Sequence, residues 1–244
     1  MMDLSELMAQ TLLLDLETTR TGKIRHIGAI FNGSVYEKAK KAGSVKILKE
    51  LDRFAQSAAY ILGHNLLGHD FPVLKIAAPW LEFLEKPIID TLYLSPLAFP
   101  QNPYHRLVKD YKLVRAAMNS PVEDAKLAAS VFGDQWKSFL SQAEQIPARI
   151  DFYRFCFQES VFNGFSGSGH SAIFSNPAAE VIRSPEEALD RFLAQTAGSV
   201  CHHAARQMVP DLLVAPEKRP AAAYCMAWLS VARGNSVLPP LVRH

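Results

Sequence analysis

The 244-residue chain has little cysteine, no long apolar run and almost no net charge, and each shortage removes a class of protein. Cys156, Cys201 and Cys225 are odd in number and far apart, which excludes a disulfide framework and paired CxxC zinc ligands. A reducing, cytoplasmic compartment is the expectation. No stretch approaches the roughly 18 consecutive apolar residues of a membrane span, and Met1-Met2-Asp3-Leu4-Ser5-Glu6 lacks the basic-then-apolar build of a secretory leader. The 26 Lys and Arg against 24 Asp and Glu leave a formal charge of +2, too small to announce nucleic acid by itself. Any such role has to come from local groups. What is abundant is hydrophobic residues, 49%, beside 20% charged and 10% aromatic, a globular balance that excludes intrinsic disorder. The length fits one generous domain or two.

Residues 11–17, Thr-Leu-Leu-Leu-Asp-Leu-Glu, read as a buried strand that emerges at a polar site. His26 to Phe31 reads as a second strand, and Asn32-Gly33 supplies the positive φ of a tight turn that returns through Ser34 to Tyr36. Val45, Leu48, Leu51 and Phe54 recur at helical spacing among Lys46, Lys49, Glu50 and Arg53, predicting an amphipathic helix over 45–55. Residues 60–63 read as strand, 71–76 as helix and 88–90 as a short strand ending in an acid, so the order is βββαβαβ. Ser120-Pro121-Val122-Glu123 joins an N-cap Ser, a first-turn Pro and a Glu three residues on, and predicts a helix to about Phe132. Past Trp136 the pattern weakens. A catalytic domain over 1–136 and a mostly helical extension or linker over 137–244 are expected, the latter interrupted by the Gly/Ser-rich stretch 163–169 and resumed by helices from Ser184 and over 221–231.

Four acids stand out. Asp15 and Glu17 are two apart on a strand, so they leave the same face, and two carboxylates that close suit a divalent cation or a solvated strand end. Asp70 closes the polar loop Gly63-His64-Asn65-Leu66-Leu67-Gly68-His69, where an N-cap is the simplest role. Asp124, one turn into the capped helix, shares a face with Leu127 or Ala128 and Val131. An acid turned toward a core is costly unless paired or metal-bound. Residues 104–115 add Arg106, Lys109, Lys112 and Arg115 with Tyr104 and Tyr111 between them, a pattern that fits phosphate contacts and base stacking, or a solvated helix face.

Leu13-Leu14-Asp15-Leu16-Glu17-Thr18-Thr19, then Ile27-Gly28-Ala29-Ile30, then Gly63-His64-Asn65 with Asp70, then Pro121-Val122-Glu123-Asp124-Ala125 resemble the three motifs of the DEDD 3′-to-5′ exonucleases. This is the DnaQ-like superfamily of polymerase proofreading domains and RNase T, and the likeness covers residues 10–135. It implies an α/β, ribonuclease H-like fold: a mixed sheet of three antiparallel strands and then parallel strands, flanked by helices. It implies hydrolysis of the terminal phosphodiester of single-stranded nucleic acid, DNA ahead of RNA, in a setting such as DNA repair. Asp15, Glu17, Asp70 and Asp124 would hold two Mg²⁺ or Mn²⁺ ions, hard cations suited to oxygen ligands. Thr18 and Thr19 would meet the terminal nucleotide, His64 and Asn65 would line its pocket, and Arg106 and Lys109 would contact phosphate.

The chain departs from the family pattern in identifiable places. Asn119 stands five residues before the last Asp, where one subfamily has a general-base His; an amide can orient water but not deprotonate it. Ser120 stands where the other subfamily has Tyr. His105 and His69 are then the candidate bases, with metal-acidified water as the other route. Arg20 replaces a customary Gly, and one extra residue, expected as a loop insertion, separates Asn65 from Asp70. A non-catalytic nucleic-acid-binding or docking module on the same fold is the alternative. Residues 227–240, with 104–112, resemble the leader of bacterial proteins that join such an exonuclease to a RecQ-like helicase. That likeness implies a helicase domain in the full-length chain, and the ending at His244 reads as a cut.

Overall fold

The apolar run that ends in Asp15 and Glu17 forms β1 (Thr11–Thr18), the middle strand of a five-stranded sheet in the computed structural model. The structure describes residues 3–102, 120–158, 161–162, 165–166, 168–174, 181–196 and 200–231. A short helix α1 (Leu4–Ala9) precedes β1, capped by Asp3, which accepts the Ser5 and Glu6 N–H groups. β2 (Ile24–Phe31) and β3 (Ser34–Lys38) follow as an antiparallel hairpin that turns at Asn32 (φ 48°) and Gly33 (φ 74°). β4 (Tyr60–Gly63) and β5 (Ile88–Asp90) join in parallel on the other side of β1, giving the order β3-β2-β1-β4-β5. The protein is thus α/β, with a mixed sheet that is antiparallel and then parallel.

Side chains alternate across a strand, so β1 serves two cores. Leu12, Leu14 and Leu16 face one side, covered by α2 (Val45–Ala55) and α3 (Phe71–Ala77) through Leu48, Leu51, Phe71 and Leu74. Leu13, Leu62 and Ile89 face the other, covered by α5 (Pro121–Gln145) and the helices after it. α4 (Thr91–Ala98) leads from β5 to the edge of that layer.

The helix expected to end near Phe132 runs on to Gln145. Its inward face mixes Phe132, Trp136 and Phe139 with buried Gln135 and Gln142. Gln135 Nε2 donates to Thr91 O at 2.7 Å and to Ser95 Oγ at 2.8 Å, and Gln142 Nε2 donates to Leu97 O at 3.0 Å. The last carbonyls of α4 lack intrahelical partners, and Gln142 supplies one to Leu97, while Gln135 bonds the first turn of the same helix. A glutamine whose amide N–H groups are bonded interrupts apolar periodicity without interrupting the helix. α5 therefore passes through residue 136, and one hydrophobic cluster joins Leu62, Ile89 and Leu94 to Phe152, Phe157, Phe192 and Met226.

Those later residues belong to α6 (Pro147–Phe157), α7 (Ser168–Ile173), α8 (Pro185–Gln195), α9 (His202–Met208), α10 (Pro210–Val214) and α11 (Arg219–Leu229). α8 starts where its capping sequence predicts, with Ser184 Oγ accepting the Glu187 N–H. Among the described residues, no helix is long and apolar enough to cross a membrane.

Candidate active site

β4 stops pairing with β1 at Leu13, and the chain leaves the sheet at Gly63. β1 runs on beside β2, with Asp15 opposite Gly28 and Glu17 opposite His26. Asn65, in the left-handed conformation (φ 64°), turns the chain into a π-helical turn, Leu66–Asp70, in which the Phe71 N–H bonds back to Leu66 O. Where a loop insertion is expected between Asn65 and Asp70, the chain winds into this widened helical turn. The turn delivers Asp70 to the free edge of β1, where its Oδ1 accepts the Leu16 N–H at 2.8 Å. Asp70 is 2% exposed and makes no cap bond to α3. Its carboxylate is spent on the strand that carries Asp15 and Glu17, and the N-cap role is not the one it takes.

Asp124 comes from the other direction. A Cβ on Gly28 would fall within contact distance of Pro121 C and Val122 N, so the first turn of α5 lies backbone to backbone on the residue paired with Asp15. Ser120 Oγ ties the same turn to the sheet by donating to Glu37 Oε1 at 3.3 Å, an atom that also lies 3.0 Å from His26 Nε2. The buried face of α5 is Val122, Ala125, Ala128 and Phe132. That face is one position on from the one expected through Asp124 and Val131, because the helix rests on Gly28 through Pro121 and Val122. Asp124 is consequently half-buried at the rim rather than turned into the core.

His69 joins the acids. Its Nδ1 stands 3.6 Å from Asp70 Oδ2 and its Nε2 stands 3.2 Å from Thr18 Oγ1. Its bond to Asp70, and then the charges of Asp70 and Glu17, raise its pKa above the ordinary value against the effect of burial. Burial raises that of Asp70, opposed by His69 and the Leu16 N–H. Glu17 Oε2 faces Arg25 Nη2 at 3.8 Å. Thr19 is used differently from the expectation: its Oγ1 accepts the Lys23 N–H at 3.1 Å and meets Thr21 Oγ1 at 2.9 Å, closing its own turn, with Arg20 exposed beside it.

His64 and Asn65 flank the same loop. His64 Nδ1 bonds Thr91 Oγ1 at 2.8 Å, and burial pushes its pKa down to about 4, so the ring is neutral at pH 7. The loop is held by a residue the sequence reading did not use, Asp90. Its Oδ1 accepts the Asn65 and Leu92 N–H groups at 2.8 and 3.0 Å, and its Oδ2 accepts the Leu67 N–H at 2.9 Å. Fully buried, Asp90 has its pKa pushed up to about 6. The signal was present, since Ile88-Ile89-Asp90 is a second apolar strand ending in an acid. His105, Arg106, Lys109 and Asn119 lie outside the described residues, as does the whole 104–115 stretch.

Among the described residues, no group of three or more His, Cys, Asp or Glu side chains is arranged to hold a metal ion. The backbone brings Asp70 beside Asp15 and Glu17 and brings the helix of Asp124 onto Gly28, while the carboxylates of Asp70 and Glu17 turn to Leu16, His69 and Arg25. The donors nonetheless fit a hard divalent cation in kind, being all oxygen. Asp70 fits it electrostatically, because a buried carboxylate that favours its neutral form is stabilised as an anion by a nearby cation. Compared with protein-family models, curated proteins and solved structures, the chain shows no match.

Proposed function

We propose that the protein is a metal-dependent 3′-to-5′ exonuclease acting on single-stranded ends, its sheet being of the ribonuclease H-like kind. Asp70 carries the reading: a buried carboxylate that leaves its own helix uncapped and bonds the β1 backbone between Asp15 and Glu17. Burying a carboxylate costs stability, and a bound cation would add to the relief that His69 and the Leu16 N–H give it. Bound by Asp15, Glu17, Asp70 and Asp124, Mg²⁺ or Mn²⁺ would acidify a water and neutralise charge on the phosphate.

The remaining work falls to the chain. Asp70 holds the His69 ring from the Nδ1 side and raises its basicity, which leaves Nε2 facing Thr18. The attacking water loses its proton to His69 Nε2, which stands in for the base that Asn119 cannot be. Thr18 sets the terminal nucleotide against that nitrogen. Neutral His64 lines the pocket without adding charge to it. Arg106 and Lys109 hold the phosphates of the strand behind, and a helicase partner would supply the ends.

A second reading, a non-catalytic nucleic-acid-binding module, is favoured by the separate partners of Asp70 and Glu17 and by Asn119. One experiment divides the two: release of label from a 3′-labelled single-stranded oligonucleotide, DNA or RNA, with Mn²⁺. Release by the wild type that vanishes in Asp15→Ala supports the exonuclease. No release, or release undiminished in D15A, sinks it.

A further inference from the structure

Asp90 ends the edge strand β5 and is entirely buried, with three backbone N–H groups on its carboxylate. Two of them, from Asn65 and Leu67, bracket the left-handed residue and the start of the π-helical turn that carries His69 and Asp70 to β1. Where Asp90 stands therefore decides where that turn begins. Asp90 is itself fixed from outside the sheet. Its backbone, on an edge with no further strand, meets His170 Nε2, which lies 3.0 Å from Asp90 N and 3.3 Å from Asp90 O. Either neutral tautomer of the ring therefore bonds the Asp90 backbone through Nε2, accepting from the N–H or donating to the carbonyl. Burial keeps it neutral by pushing its pKa down to about 4.

His170 reaches this position because of its neighbour. A Cβ on Gly169 would overlap Ile88 O and crowd Ile88 C and N, so α7 lies directly on the β5 backbone in a way that glycine alone permits. Phe157 and Tyr93 flank the His170 ring, with centroids 5.4 and 6.5 Å away. From α11, Tyr224 donates its hydroxyl to Tyr93 O at 3.0 Å, so a second helix of the same region grips the start of α4. A buried imidazole is a costly filler where Leu or Phe would pack, and its bonding here goes to the backbone of the residue that clamps the loop.

We propose that His170 is a positioning residue of the acidic site: through the Asp90 backbone it fixes the carboxylate that holds the Asn65–Leu67 turn, and with it His69 and Asp70. The helical region after residue 136 is then part of the catalytic unit. The consequence for activity rests on the exonuclease reading, whereas the coupling from His170 to the turn does not.

The test uses the full chain with His170→Leu, which removes the nitrogen that meets the Asp90 backbone, and His170→Gln, whose side-chain amide can replace it as acceptor or donor. Asp90→Asn, which loses the acceptor for Leu67, serves if H170L does not fold. Amide hydrogen exchange at Asn65 and Leu67 is read beside kcat and KM on a single-stranded oligonucleotide with Mn²⁺. H170L should speed exchange at both amides about tenfold and lower kcat about tenfold with KM nearly unchanged, and H170Q should restore both. D90N should speed exchange at Leu67 more than at Asn65. Unaltered exchange at 65 and 67 in H170L, or equal impairment of H170L and H170Q in step with their melting temperatures, would overturn the assignment. A wild type that shortens nothing overturns the exonuclease reading; an active wild type matched by H170L overturns this inference alone.

Discussion

Replacing Asp70 with Asn removes a charge while leaving the shape. The Asn Oδ1 can still accept the Leu16 N–H that the carboxylate accepts at 2.8 Å, and the side chain stays in a site that is 2% exposed. A hydrogen bond to a neutral acceptor is weaker than one to a carboxylate by about 1 kcal/mol. Relief of a buried charge, which disfavours the ionised form here, offsets that loss. Because the folded pKa is raised, the folded chain binds the proton more tightly, and the charge costs stability once pH has risen through that value. At pH 7 the metal-free D70N chain should thus lie within about 1 kcal/mol of wild type. Metal should separate them. A ligand at roughly 100 times its Kd stabilises by about 2.7 kcal/mol. For a chain of this size that raises the melting temperature by roughly 5–10 °C. Differential scanning fluorimetry with and without Mn²⁺ should show this rise in wild type and none in D70N. A rise that persists in D70N would refute the role given to Asp70. A metal-free loss above about 3 kcal/mol would show it to be a structural anchor instead.

Gly28→Ala places a methyl against the Pro121–Val122 backbone, so α5 must lift from β2 and carry Asp124 away from Asp15; urea midpoints should fall by about 1–3 kcal/mol, and exonuclease rate should fall further than stability explains. His69→Asn should lower kcat by about 100-fold with Mn²⁺-induced stabilisation retained, and loss of both together would make His69 a structural support for Asp70. His170, held near 4 against an ordinary 6.5, favours unfolding by on the order of 3 kcal/mol as pH falls from 6.5 to 4, because the unfolded chain takes the proton first. Asp90, raised from 3.8 to about 6, works in the opposite sense as pH falls through that window. The His170→Gln variant loses the His170 effect and keeps the others, so its stability relative to wild type should rise between pH 7 and 4.5 by urea titration, and parallel profiles would count against the assigned states.

Local pattern decided what could be read in advance. β1, the β2–β3 turn, α2 and β4 follow from uninterrupted periodicity and from Asn32-Gly33, and they stand where those signals lie. Asp15 and Glu17 share a face by strand geometry alone. The second half of α5 was hidden because the Nε2 groups of Gln135 and Gln142 donate to α4 carbonyls some 40 residues earlier in the chain, which no window of local sequence contains. Asp70 could be named but not aimed, since its partner is the Leu16 N–H across the π-helical turn. The face of Asp124 shifted by one residue because backbone contact at Gly28, not apolar count, sets the rotation of the helix. Asp90 and His170 are 80 residues apart and act through backbone contact, a role that composition and spacing cannot express.

The central claim is that the acids at the end of β1 serve metal-dependent removal of 3′ nucleotides. Incubation of a 5′-labelled single-stranded oligonucleotide with the protein and Mn²⁺, resolved on a sequencing gel, tests it most directly. A ladder shortening from the 3′ end, abolished by chelator and by Asp15→Ala, is the expected result. A full-length band that persists with wild type and Mn²⁺, or a ladder that D15A leaves intact, would contradict it.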